Sequence, residues 1–252
     1  MFKKIIFASF LILVFKNSFA QFNLQDSTVN GFLFSTNYSF NFPGGDLVKR
    51  FGNNSSVGGS ILYKFGKNWM LGIDGIFLFG GKVKEDSLFK QLENGNGEII
   101  GEDGLPVIIN LFERGFFIGG KLGKAIPVLG SNANSGLFFS ITGGLLQHKI
   151  RIETRGGDVP QLNKEYKKGY DRLSNGFAVS EYIGFLHLDK KKLLNFHIGI
   201  ECTQAFTKNR REWNFDTLQK DETQRLDLFF GIKIGWILPV YNKRKGDLTY
   251  YN

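Results

Sequence analysis

Residues 226–240 read LDLFFGIKIGWILPV, and every second residue from the first is apolar: Leu226, Leu228, Phe230, Ile232, Ile234, Trp236, Leu238 and Val240. Between them stand Asp227, Phe229, Gly231, Lys233, Gly235, Ile237 and Pro239. Strict alternation is the period of a strand, whose successive side chains point to opposite faces. An unbroken apolar face opposite one holding an acid, a lysine and two glycines needs an apolar medium on one side and something polar or crowded on the other. That requirement constrains the fold more than any other feature of the chain.

The pattern recurs in residues 32–42, 57–65, 69–79, 115–124, 136–150, 176–188 and 195–206, which makes eight alternating segments. The sixth is the least clean, with Glu181 interrupting a face that otherwise holds Phe177, Val179, Ile183 and Phe185; Glu181 would face lipid unless a bulge shifts the register. Each segment runs about 9–15 residues, longer than the globular average of about 5–6. Crossing a bilayer at a tilt takes about 9–11. The connections alternate long, short, long, short, long, short, long, as in an up-and-down barrel with short turns on one side and long loops on the other.

Eight long strands fit either a soluble lipocalin-like barrel, greasy inside, or a membrane barrel, greasy outside. Three features favour the second. The apolar faces are nearly continuous, the strands are long, and aromatics collect near both ends of the apolar face. Phe65, Trp69, Phe196 and Trp236 lie near the short turns, and Phe42, Phe79 and Phe206 near the long loops, as two interfacial girdles would. The opposite face carries Lys64, Asp74, Lys121, Glu201, Asp227 and Lys233. The fold expected is all-β: an eight-stranded antiparallel up-and-down transmembrane β-barrel.

The opening MFKKIIFASFLILVFKNSFA has a basic start, an apolar run and a small-x-small end at Ser18-Phe19-Ala20, the anatomy of a secretory signal peptide cleaved after Ala20. The division expected is a signal peptide at 1–20, a periplasmic segment at 21–29, the barrel at 30–241 and a periplasmic tail at 242–252. Loss of Lys3, Lys4 and Lys16 with the leader leaves 29 basic and 23 acidic residues, net +6. An exported basic chain meets anionic lipid headgroups, not nucleic acid. Cys202 is the only cysteine, so no internal disulfide holds the fold.

A leader ending FAQ, eight Phe- and Gly-rich strands and a terminal GIKIGWILPVY together resemble the small outer-membrane β-barrel proteins of Bacteroidota, of the OmpA-like, porin-family eight-stranded kind. The resemblance is architectural and covers residues 30–241. It implies residence in the outer membrane and insertion by the barrel assembly machinery. The last strand is similar to that machinery's recognition signal at Lys233, Gly235, Leu238 and Val240, but lacks an aromatic at the last two places. Such families share no single activity.

An eight-stranded barrel has an interior just wide enough for side chains to fill. The six inward charges, three acids and three bases, are therefore expected to pair as one structural polar network, and a narrow channel is the lesser alternative. A lipid-modifying enzyme is a further alternative, with His148 near the long-loop end of its strand as a rim base. No Ser–His–carboxylate spacing marks it, and three scattered histidines and one cysteine give neither zinc spacing nor a cofactor motif. The long loops are the expected working parts. Arg151, Arg155, Tyr166, Lys167, Lys168, Tyr170, Arg172, Arg210, Arg211 and Trp213 are the candidate contacts to lipopolysaccharide phosphates or to another envelope protein.

Overall fold

The computed structural model describes residues 28–130, 132–189 and 194–241. The signal peptide, most of the 21–29 segment and the 242–252 tail lie outside the described residues. Eight long antiparallel strands, β1 Gly31–Gly45, β2 Asn54–Phe65, β3 Trp69–Gly80, β4 Pro106–Ile126, β5 Gly136–Arg155, β6 Ser174–Leu188, β7 Asn195–Asn209 and β8 Gln224–Tyr241, each pair with the next in sequence. β8 pairs back onto β1, so the sheet closes. A two-residue strand, Ile99–Ile100, adds to the outer end of β4.

Closure fixes the tilt. Register partners followed around the sheet run Phe34, Ile61, Ile73, Gly120, Gly143, Val179, Gln204 and Leu228, and return to β1 at Gly44, ten residues from the start. Such a stagger on eight strands requires a strand tilt of about 35–45° and leaves room inside for side chains only.

The alternation places the apolar set outside. Phe34, Phe40, Ile61, Ile73, Ile118, Leu145, Ile198, Ile232 and Ile234 are all exposed on the outer wall. Trp69, Phe65, Phe196 and Trp236 stand outward toward the short-turn end, and Phe42, Phe79 and Phe206 outward toward the loop end. The Lys124 ammonium lies 4.5 Å over the Trp69 ring, a cation at the edge of the greasy band. Water-soluble proteins rarely leave so wide an apolar belt bare.

β4 and β5 run well past this belt. In the sequence, residues 106–114 fall in a long connection that reads either as an extension of the fourth strand above the membrane or as a lid; the structure shows the extension, with the ladder running from Ile108↔Arg155 to Arg114↔Lys149. Their outer face turns polar at Arg114, Lys149, Arg151 and Glu153, while Val107, Ile150 and Ile152 stay buried inside. The two strands thus rise above the membrane as a wall for the loops to lean on.

Candidate functional site

The interior is built in three tiers. The lowest, at the short-turn end, is apolar: Leu33, Leu62, Met70, Phe138, Leu186 and Ile237 meet across the axis. Lys64 is fully buried beneath them and donates to the Val29 carbonyl and to Asn134 Oδ1, each at 2.7 Å. A void of about 10 Å³ between Ser35, Ser60, Lys121 and His197 is the size of one water.

The middle tier is ionic. Lys233 Nζ lies 2.8 Å from Glu201 Oε1 and 3.5 Å from Asp74 Oδ2, and Lys121 Nζ lies 3.5 Å from the same Asp74 oxygen. Two acids and two lysines alternate in one chain, all nearly solvent-free. Next to it, His197 bridges Asn37 Oδ1 at 2.9 Å and the Tyr182 hydroxyl at 3.0 Å. Gly235 makes this crossing possible, because a Cβ there would stand 2.3 Å from both Asn37 Oδ1 and His197 Nε2.

The upper tier gathers around Asp227. Thr207 donates to its Oδ2 at 2.6 Å, His148 Nε2 lies 2.9 Å from the same oxygen, and Arg50 Nη2 lies 3.6 Å from Oδ1. Glu113 is also buried here and accepts from Asn54 Nδ2 at 2.9 Å. The six predicted charges all face inward, but they do not form one network. Four make the middle tier, while Lys64 and Asp227 belong to opposite ends. The stagger of the closed sheet sets those levels, and it is invisible in any single strand. His148 is not a rim group either. It is fully buried, with the Phe51 ring edge-on at 5.6 Å. Arg50 and Glu113, which sequence reasoning missed, complete the tier. Arg50 sits in a polar loop, and its only signal was the apolar Leu47 and Phe51 flanking it.

Above this tier the loops close the barrel. Leu47 and Phe51 of the first loop (46–53), Leu88 and Phe89 of the second (81–105) and Val159, Leu162 and Tyr170 of the third (156–173) bury against Phe117, Leu146, Ile150 and Phe229. Phe215 of the fourth loop (210–223) packs on Tyr170 with ring centroids 5.5 Å apart. Polar ties stitch the cap. Arg211 forks onto both Asp171 oxygens at 2.7 and 2.5 Å, which holds its guanidinium above the ordinary range. Arg172 pairs with Asp216 and lies 3.8 Å from Glu85.

Tyr170, Arg172 and Arg211 therefore build the cap. The other loop candidates stay at the surface. Arg151 pairs with Glu153 at 2.7 Å, Lys168 with Glu165 at 2.5 Å, and Arg210 donates to Asn175 Oδ1 at 2.6 Å. Arg155, Tyr166 and Trp213 are exposed and Lys167 half-buried.

One concave feature opens on the outer rim. Gly52 N–H donates to the Lys82 carbonyl at 2.9 Å and Lys84 N–H to the Arg50 carbonyl at 2.8 Å. This short ladder between the first and second loops turns Val83 toward the cap core and sets Lys82 and Lys84 on one side of a crevice of about 240 Å³. Pro43, Val48, Gly52 and Asn53 line the rest. Lys84 Nζ also donates to the Val48 carbonyl at 2.7 Å, which fixes its head at the crevice. Pro43 follows the girdle residue Phe42, so the crevice lies where hydrocarbon gives way to headgroups.

Fold and surface together define a class: a closed eight-stranded barrel of the transmembrane kind, filled within and capped by its loops. Among known proteins, no family and no curated relative matches the chain. Among solved structures it is similar to Ail, the attachment invasion locus protein of Yersinia pestis, in complex with the heparin analogue sucrose octasulfate, at 11% identity and TM-score 0.41 over 83% of this chain and 99% of that one. A second structure of Ail gives 12% and 0.36 over 83% and 99%. The outer membrane protein OprG from Pseudomonas aeruginosa gives 10% and 0.34 over 85% and 99%.

Proposed function

We propose that this chain is an integral outer-membrane protein whose barrel is an anchor and whose loop cap is the working part, binding phosphate-bearing glycolipid of the outer leaflet, of the lipopolysaccharide kind. The outer-membrane placement is supported by the closed sheet with its bare apolar belt, since closed barrels leave no backbone group unpaired in lipid. The observation that carries the ligand is the rim crevice. Lys82, Lys84 and Asn53 line it at headgroup level together with the apolar Pro43 and Val48, and the Lys84 ammonium is held there by the Val48 carbonyl. Ammonium-to-phosphate hydrogen bonds are among the strong ones, and stronger still beside hydrocarbon.

The non-catalytic reading is supported by the position of His148. Both it and Asp227 are sealed under Phe51, away from any external lipid. The absence of conductance is supported by the three filled tiers. Exposed Trp213 and Leu218 on the fourth loop favour a second role, contact with another envelope protein.

The test is native mass spectrometry of the purified barrel with lipid A carrying two, one or no phosphates. Retention should fall stepwise with phosphate number. Lys82→Ala/Lys84→Ala should lower it about tenfold or more at moderate salt, since hydrogen bonds between charged groups contribute about 1.5–3 kcal/mol each. Equal retention of phosphorylated and dephosphorylated lipid, or no effect of the double substitution, would overturn the assignment.

A further inference from the structure

The centre of the lipid-facing wall carries an acid. β6 stays in continuous register with β5 and β7, without a bulge, so Glu181 points outward between its partners Ile141 and Cys202. It is the middle residue of a fifteen-residue strand and is exposed on the outer wall. At about 3.3 Å per residue and a tilt of about 40°, it lies roughly 17 Å from either strand end, deep in hydrocarbon. On the outer face its neighbours are Val179, Ile183, Ile141, Ile200 and Cys202, with the uncharged Gln204 on the adjoining rung. No described residue gives it a hydrogen bond or an ion pair.

Lipid alone is a poor neighbour for a carboxyl, and the outer wall supplies no cation at this level. Lys124 sits at the lower girdle against Trp69, and Arg114, Lys149 and Lys208 lie toward the loop end. An ionisable group in such a place is a sign of a partner. The surface beside it is also hollow. Gly75, Gly120 and Gly143 face outward, and Gly120 pairs directly with Gly143, which neighbours Glu181 diagonally. A Cβ at Gly75 or Gly120 would meet nothing within 4 Å, and one at Gly143 only the Phe177 ring at 3.7 Å. Glycine in mid-strand weakens a sheet and marks close approach by something else.

We infer that the outer wall of β4–β7 is a dimerisation face, and that its occupant is a second copy of this chain. The argument is one of self-complementarity. All copies cross the membrane with their loops on the same side, so the twofold axis relating a pair runs along the membrane normal and brings residues of equal height together. Glu181 then meets Glu181. A protonated carboxyl both donates and accepts, so two of them satisfy each other across the axis with no cation required. The glycine hollow lets the two walls approach closely enough for this pairing.

Cys202, register partner of Glu181 on the same outer face, reports on the arrangement. The mature barrel in lipid bilayers is treated with a membrane-permeant bis-maleimide spanning about 10 Å, and mass is measured in parallel by native mass spectrometry from mild detergent. The inference expects a dimer linked through Cys202. Glu181→Leu should reduce the linked fraction at least tenfold while the barrel remains folded by heat-modified gel mobility, and Glu181→Gln, whose amide also donates and accepts, should keep most of it. A monomer at every protein-to-lipid ratio, a dimer indifferent to Glu181→Leu, or linkage only to a different protein in native membranes would each overturn it.

Discussion

At the scale of the residue, the middle tier shows how charge can fill a barrel without opening it. Lys233 touches both Glu201 and Asp74, whereas Asp74 also holds Lys121. Lys233→Met therefore removes the hydrogen-bonded ion-pair partner of Glu201, and a buried charge deprived of its partner costs about 3–5 kcal/mol. The expected result is a loss of that order in urea unfolding from lipid vesicles, followed by Trp fluorescence. Lys233→Met/Glu201→Leu should recover most of it, because Asp74 keeps Lys121. A double variant as unstable as the single one would show that the chain of charges does not divide in this way. The identity of these residues as inward was legible from alternation alone. Their grouping was not, since Lys233 and Asp74 lie on strands far apart in sequence, and only the ten-residue stagger brings them level. Nor could sequence place His148, whose neighbours Lys149 and Arg151 face out while it faces Asp227.

At the scale of the element, the strands announced themselves and the loops did not. Where lipid wets the outer wall, solvent and interior impose opposite demands on alternate residues, and the two-residue period stands out. Above the membrane both faces of β4 and β5 are mixed, so Pro106–Arg114 loses the signature although its ladder is intact. In the loops the information lay in isolated apolar residues. Phe51 and Leu47 are fully buried, yet each directly follows a charged residue, Arg50 and Asp46, in a polar stretch. Phe51→Ala should cost about 3–5 kcal/mol locally, as large-to-small changes in packed cores do. Its effect should appear as proteolytic cleavage of the first and second loops in intact vesicles, with the barrel itself still resistant. The first loop is also pinned by Asp46, which lies 2.8 Å from the Lys49 ammonium and accepts the Leu226 N–H at 3.0 Å. The Lys49 hydrogen bond, then the Leu226 amide, hold its pKa below the usual carboxylate range. A carboxyl depressed in the folded state stabilises above its unfolded pKa, and that contribution fades as pH falls through the folded value. Cleavage of the first loop should thus rise below about pH 4, and Asp46→Asn should already show the raised level at pH 7 and respond less to acid.

At the scale of the molecule, the question is whether a filled barrel is closed by one seal or by two. The cap seals the loop end, and the apolar tier of Leu33, Leu62, Met70, Phe138, Leu186 and Ile237 seals the other, with the ionic tier between them. Ions crossing the barrel would have to shed water against the lower tier even if every loop were removed, and hydrocarbon gives nothing in return. The natural protein is therefore expected to show no steady openings in planar bilayers. The sharper expectation concerns a variant in which a short turn replaces residues 86–104. Loss of Leu88 and Phe89 empties part of the cap, so the upper tier becomes wet and Glu113 and His148 gain access to added reagents. Conductance should nonetheless stay at baseline, because the lower tier is untouched. Openings should require Met70→Ala and Phe138→Ala in addition, which remove bulk at the level of the one-water void beside Lys121. Steady current through the loop-shortened variant alone would mean that the lower tier yields to water, and that the cap by itself keeps this barrel shut.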